Sequence, residues 1–212
     1  RNLETFESSE VAVSLIARVG CDPWSSIAIR TLDEAGVTLS NLQRDPTALT
    51  GLMYIVVTPD GERTMLGDRG ANVLTSPREI NDSEIRSARL FYLSGYALLA
   101  EPQRGTALLA LRSARRHGLT LTLDPGTIVS QAALAEVRSL LPGIGILLPN
   151  IDEARALTGL VDPEECLDAF LDLGVHVIAL KLGRDGCLVG TGAVRLRVPG
   201  FRVAARHSTG AG

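Results

Sequence analysis

The chain has 212 residues, 45% hydrophobic and 21% charged, with a formal net charge of −3 at pH 7. This suits one globular domain with a sizeable core and gives no basic field to attract nucleic acid. No apolar run reaches membrane-spanning length, the N-terminus lacks a signal-peptide pattern, and three cysteines (Cys21, Cys166, Cys187) without paired spacing point to a reducing cytoplasm rather than to disulfides or zinc. The chain starts at Arg1 and stops inside a motif, so it reads as incomplete at both ends.

Val11 to Val19 predicts a buried strand closed by Gly20. Asp22 and Pro23 supply an N-cap and a proline for the first helical turn, and Gly36 a stop. Leu52 to Thr58 and Arg63 to Leu66 flank Pro59-Asp60-Gly61, a turn that predicts a hairpin. Gly67 to Asn72 then reads as a polar loop. Ser76-Pro77-Arg78-Glu79 has the spacing of a capping box. Leu90 to Leu93 predicts a strand ending at Ser94-Gly95-Tyr96. Such strand ends face the ligand crevice of an open α/β sheet, where Tyr96 is either a contact or a core aromatic with a wet hydroxyl.

Glu101 to Arg116 predicts an amphipathic helix with Leu108, Leu109 and Leu111 inward, its arginines at the negative end and Gly118 after it. Strands follow at Leu119–Leu123, Ile144–Leu148 and Val175–Leu180, and helices at Gln131–Leu141, Ile151–Thr158 and from Pro163 to near Gly174. Short strands broken by Gly183, Asp185-Gly186 and Gly190 lead to the alternating segment Val198 to Ala205. The repeated strand–helix units predict an α/β fold, a mostly parallel central sheet with helices on both faces. Residues 1–212 are expected to form a single domain, with a lid-like β segment around residues 45–70. Neither a G-x-G-x-x-G after the first strand, nor a Walker A motif, nor a G-x-S-x-G elbow is present, so dinucleotide, P-loop and serine-hydrolase readings are unsupported.

Three stretches could carry chemistry. Asn150 and Glu153 stand at a strand-to-helix junction, where helix capping accounts for both and either can point to the mouth of the sheet. Lys181-Leu182-Gly183-Arg184-Asp185-Gly186 combines a strand-end lysine with glycines that allow close approach of a ligand or simply turn a hairpin. His207-Ser208-Thr209-Gly210-Ala211-Gly212 leaves backbone N–H groups unshielded. If a helix starts there it makes an anion site, and otherwise it is a turn.

In order, R-V-G-C-D-P, R-G-A-N, L-S-G, L-D-P, P-N-x-x-E, K-L-G-x-x-G and S-T-G-A-G resemble the motifs of the ribokinase-like (PfkB-type) carbohydrate kinases over nearly the whole chain. The resemblance implies transfer of the ATP γ-phosphate to a hydroxyl of a sugar or sugar-like polyol. It implies that Gly210, Ala211 and Gly212 form the catalytic anion hole, with an aspartate base expected next. Thr209, Lys181, Gly183 and Gly186 would line the nucleotide, Asn150 and Glu153 would arrange Mg2+ through waters, and Asn72, Gly95 and Tyr96 would contact the acceptor. It also implies a homodimer formed through the lid strands. His207 departs from the acidic residue usual there, Ser25-Ser26 covers a common glycine, and no glycine-pair segment is evident before Val11. Two further readings stay open: a non-catalytic nucleotide- or sugar-binding fragment or pseudo-kinase, and a same-fold kinase for a nucleoside or vitamin precursor.

Overall fold

The computed structural model describes residues 11–58, 63–126 and 131–202. Strand β1 (Ala17–Gly20) runs parallel to β2 (Leu42–Asp45), with helix α1 (Pro23–Glu34) between them in sequence. The expected buried strand from Val11 is therefore much shorter. Among the described residues only Ser14 bridges upstream of β1, to Thr38, and Val11 and Val13 are 71% and 50% exposed, because β2 offers partners only to Ala17–Gly20. Asp22 caps α1 as predicted, accepting from Ser25 N at 3.0 Å, and its other oxygen accepts from Thr50 N at 2.6 Å. Ser25 is buried and donates to the Asp22 carbonyl at 2.6 Å, so its hydroxyl is satisfied within the first turn of α1.

The hairpin forms, as β3 (Thr50–Val57) antiparallel to β4 (Arg63–Gly70), in a two-stranded sheet of its own, but the expected polar loop from Gly67 is strand as far as Gly70, because Thr50, Leu52 and Met53 extend the ladder to Gly70, Asp68 and Gly67. Pro59-Asp60-Gly61 lies outside the described residues. An arginine anchors the base of this ribbon. Arg18 on β1 donates to Asp45 Oδ2 at 2.9 Å, Gln43 Oε1 at 3.1 Å and Glu79 Oε1 at 2.6 Å. Its backbone N–H reaches Asn72 Oδ1 at 3.2 Å. Because Glu79 is drawn to Arg18, the expected capping box fails: Ser76 Oγ accepts only from Arg78 N, over a single 3-10 turn at Pro77–Glu79.

The larger sheet comes next in the chain. After the short helix α2 (Asp82–Ser87) follow β5 (Leu90–Ser94), α3 (Gln103–Arg116), β6 (Thr120–Asp124), α4 (Gln131–Leu140), β7 (Ile146–Leu147), α5 (Ile151–Thr158), α6 (Pro163–Asp172), β8 (Val177–Lys181), β9 (Cys187–Gly190) and β10 (Arg195–Val198). The strand order is β10-β9-β8-β7-β6-β5. β5 to β8 are parallel and β9 and β10 antiparallel, so the sheet is mixed, with α3, α5 and α6 packed against it. One face carries Leu93, Leu121, Leu123, Leu147, Ile178, Leu180 and Leu188, all buried in the core. Each such side chain contributes about 1.5–3 kcal/mol relative to exposure.

Helix ends follow their local chemistry. Asn150 and Glu153 cap α5 and Gly159 ends it at φ 77°, while Asp162 caps α6 with proline in its first turn. Two expectations need correction. Leu109 points outward, 45% exposed, because the buried stripe of α3 runs through Thr106, Ala110, Ser113 and Ala114. The alternating segment from Val198 ends as a strand at that residue; Pro199 to Arg202 are irregular, since Pro199 and Gly200 interrupt the pattern.

Asp45 ties this frame to pH. N–H donation from Ala48 and then Thr47, with Arg18 beside it, holds its carboxyl well below the usual carboxylate range. A depressed folded-state pKa adds stability above the unfolded pKa near 3.9, and that stability is lost as pH falls toward the folded value. Asp45→Asn is therefore expected to lower the urea midpoint at pH 7, with the gap to the unsubstituted protein closing below about pH 4. Urea titrations at pH 7, 5 and 3 check this.

Candidate active site

The parallel pairing aligns the carboxyl ends of β5 to β8 along one rim. Ser94 lies opposite Asp124, and Lys181 N donates to the Pro149 carbonyl at 2.8 Å, which sets Asn150 beside Lys181. At the front of the rim Gly95 is closed to any side chain. A Cβ there would stand 1.7 Å from the Pro125 carbonyl oxygen, so the backbones after β5 and β6 touch. Tyr96 is 46% exposed, not a core residue, and its ring lies over Gly126, where an added Cβ would meet Cδ2 at 3.2 Å.

Behind them Lys181 Nζ stands 3.3 Å from Asp124 Oδ2, whose other oxygen accepts from Gly126 N at 3.2 Å. Tyr92, on the same face of the sheet, donates its hydroxyl to Asp124. Burial and then the Asp124 charge raise its pKa. Glu153 is 8% exposed. Its Oε2 accepts from Asn150 N at 2.9 Å, while Asn150 Oδ1 accepts from Glu153 N at 2.8 Å. Burial, chiefly, pushes the Glu153 carboxyl up; the Asn150 N–H opposes this, the Asp124 charge adds to it, and Lys181 opposes it. Cys187 on β9 closes the group, with burial raising its thiol pKa against the Lys181 charge.

The rim thus holds two carboxylates and one ammonium in partly desolvated surroundings. A divalent cation held through waters would relieve the repulsion between Asp124 and Glu153, so the residues fit magnesium, which keeps several waters. Among the described residues no group of three or more His, Cys, Asp or Glu could hold a metal by itself. The capping role of Asn150 and Glu153 is met in full and leaves Glu153 Oε1 unbonded among the described residues. Gly183 and Gly186 turn the β8–β9 connection at φ 61° and 90°. A Cβ on Gly186 would lie 2.0 Å from the Val198 carbonyl oxygen, so packing against the chain after β10 explains it, whereas around Gly183 the space is open. Asn72 offers an amide whose oxygen is held by Arg18. Thr209, Gly210, Ala211 and Gly212 lie outside the described residues. The sequence reading missed the pairing of Asp124 with Lys181. An acidic strand-end residue in L-D-P was its only signal.

Fold and site together define an α/β protein with two carboxylates and an ammonium gathered at the carboxyl ends of its parallel strands. Residues 7–212 match the pfkB family carbohydrate kinases, and the chain belongs to that family. It is 32% identical over 203 residues to an ATP-dependent ribose-1-phosphate kinase of Halopiger xanaduensis, covering 96% of this chain and 64% of that one. It is 27% identical over 207 residues to probable fructokinase-5 of Arabidopsis thaliana, covering 94% and 64%. The chain therefore spans just under two thirds of the length of these curated relatives. Among solved structures, fructokinase from Vibrio cholerae O395 in its fructose-, ADP- and calcium-bound form matches at a TM-score of 0.81 and 25% identity, over 95% of this chain and 67% of that one.

Glu153 gives this site a measurable signature. Its raised folded-state pKa means that stability is fully present below the unfolded pKa near 4.3 and is lost as pH rises through the folded value. Glu153→Gln keeps an acceptor for the Asn150 N–H and removes the buried charge. It is expected to raise the thermal midpoint at pH 7 and to match the unsubstituted protein below about pH 4, as thermal scans across that range test.

Proposed function

We propose that this protein transfers the γ-phosphate of ATP to a hydroxyl of a sugar or sugar-like polyol. The observation that carries the reading is the rim itself: Asn150, Glu153, Asp124 and Lys181 converge at strand ends in a chain of the pfkB family. Phosphoryl transfer of this kind depends mainly on positioning and charge stabilisation. Asn150 and Glu153 hold magnesium through waters, and the ion when bound neutralises charge on the phosphate oxygens. Lys181 directs positive charge at the nucleotide phosphates, and the turn containing Gly183 and Gly186 borders them. The backbone N–H groups of Gly210, Ala211 and Gly212 cradle the transferring group, and Thr209 lines the nucleotide. Asn72, Gly95 and Tyr96 border the acceptor.

Residues 1–212 act as one domain with the β3–β4 ribbon as its lid. The free cysteines agree with a cytoplasmic setting, and no helix among the described residues is long and apolar enough to cross a membrane. The lid also suggests a homodimer. Tyr54 and Leu66 are cross-strand partners on one face, 66% and 60% exposed, and a lone two-stranded ribbon is marginal in water.

Two measurements test these readings. Mixing protein, ATP, Mg2+ and a panel of sugars is expected to release ADP in a sugar-dependent way, with Asn150→Ala and Glu153→Gln each lowering the rate about 10- to 100-fold. Absent release favours the non-catalytic binding reading, and release that does not depend on sugar overturns the sugar-kinase reading. Sedimentation velocity is expected to show a dimer that Tyr54→Lys with Leu66→Lys converts to monomer, and a monomeric unsubstituted protein overturns that assignment.

A further inference from the structure

Arginine supplies nearly all of the positive charge in this chain. Of its 21 lysines and arginines Lys181 is the one lysine, so the chain has a single side-chain amine. The distinction matters chemically: a guanidinium keeps its proton, whereas an amine can lose one and act as a nucleophile. That amine lies at the rim, with its side chain 34% exposed. The Lys181 backbone N–H points away from β9, to the Pro149 carbonyl at 2.8 Å. Lys181 therefore faces its partner Cys187 as a pair without ladder hydrogen bonds, the kind that brings side chains closest. Both side chains leave the same face of the sheet, with Cβ atoms about 4.5–5.5 Å apart.

Cys187 is a free thiol, partly open to solvent, and it senses its neighbour: the Lys181 charge works against the burial that raises its pKa. The other two thiols stand apart from the amine. Cys21 is exposed in the turn before α1, and Cys166 is sealed in the core with its sulfur 3.3 Å from Thr158 Oγ1. The phosphotransfer reading uses the ammonium and leaves the Cys187 thiol idle. That thiol is a better trap for an acyl thioester than an ammonium held 3.3 Å from Asp124. Once an acyl group sits on the sulfur, the amine meets it inside one site, and proximity replaces a rare encounter.

We propose that Lys181 is an acylation site fed by Cys187, which takes the acyl group from a thioester of the acyl-CoA class. The Cys187 sulfur attacks the thioester carbonyl. A new C–S bond forms as the old one breaks, and the carrier leaves as its thiol with the cysteine's proton. The unprotonated form of the Lys181 amine then attacks the same carbonyl. A C–N bond forms, the C–S bond to Cys187 breaks, and the proton shed by the nitrogen restores the thiol. The product amide carries no charge, so Asp124 loses its counter-ion and stands unopposed beside the Glu153 carboxyl. On the phosphotransfer reading, on which this consequence rests, the nucleotide phosphates then meet no ammonium, and acylation closes the site to ATP.

The test is incubation with acetyl-CoA, followed by intact mass and peptide mapping. One acetyl group is expected on Lys181, and Lys181→Arg, which keeps the charge, is expected to remove it. Cys187→Ser is expected to slow the modification about 10-fold, and Cys21→Ser to leave its rate unchanged. Capping Cys187 as a mixed disulfide in the Cys21→Ser protein, then releasing it with reductant, gives the same comparison without substituting the strand. An unmodified Lys181, or a rate indifferent to Cys187, overturns the proposal. Calorimetry with ATP and Mg2+ then compares acetylated and unmodified protein. The acetylated form is expected to bind about 10-fold more weakly, and equal binding by both overturns the closing of the site. No ATP binding by the unmodified protein, with Lys181 still acetylated through Cys187, defeats the phosphotransfer reading alone.

Discussion

Lys181 ties the rim together through two bonds of different kinds. Its backbone N–H joins the Pro149 carbonyl and fixes the end of β8 against the segment that becomes α5. Its ammonium crosses to Asp124 at the end of β6. Burial withdraws this region from water, so the attraction is stronger than it would be on the surface. Asp124 in turn receives the Tyr92 hydroxyl from β5 and raises the pKa of Glu153. Four strand ends are thus coupled electrically as well as by their ladder bonds. The arrangement is not optimised for stability: Glu153 is kept buried against the preference of its charge for water.

A second hub holds the β3–β4 ribbon in register with the rest of the structure. Arg18 gathers Asp45, Gln43 and Glu79, while Asp22 accepts both from the first turn of α1 and from the first residue of β3. The ribbon has little core of its own, so its direction is set at its base by these charged and backbone contacts. Arg69, toward the same end, makes the ribbon's contact with Gln103 on α3. These joints of the ribbon are polar, and polar contacts rearrange more readily than packed leucines.

What was legible in the sequence follows from the range of the forces involved. Helix α5 and the start of α6 were readable to the residue, because Asn150, Gly159 and the Asp162-Pro163 pair act within one turn. The hairpin was readable for the same reason. β1 was not, because its length depends on how much of β2 is available to pair, a fact stored elsewhere in the chain. Glu79 has the spacing of a capping residue but is claimed by an arginine 61 positions away, and no local rule foresees that. In the site, Asn150 and Glu153 were found by position, whereas Asp124 acquires its meaning only when the sheet register brings Lys181 to it across 57 residues.

The contact between Gly95 and Pro125 limits how this rim can change. The two turns press backbone on backbone, so there is no room for a side chain at Gly95. Variation has to act from the surrounding positions instead: from Tyr96, whose ring overlies the next turn, and from the ribbon, whose exposed residues lie outside the core. One wall of the rim is therefore fixed by its backbone, while its neighbours are free to differ.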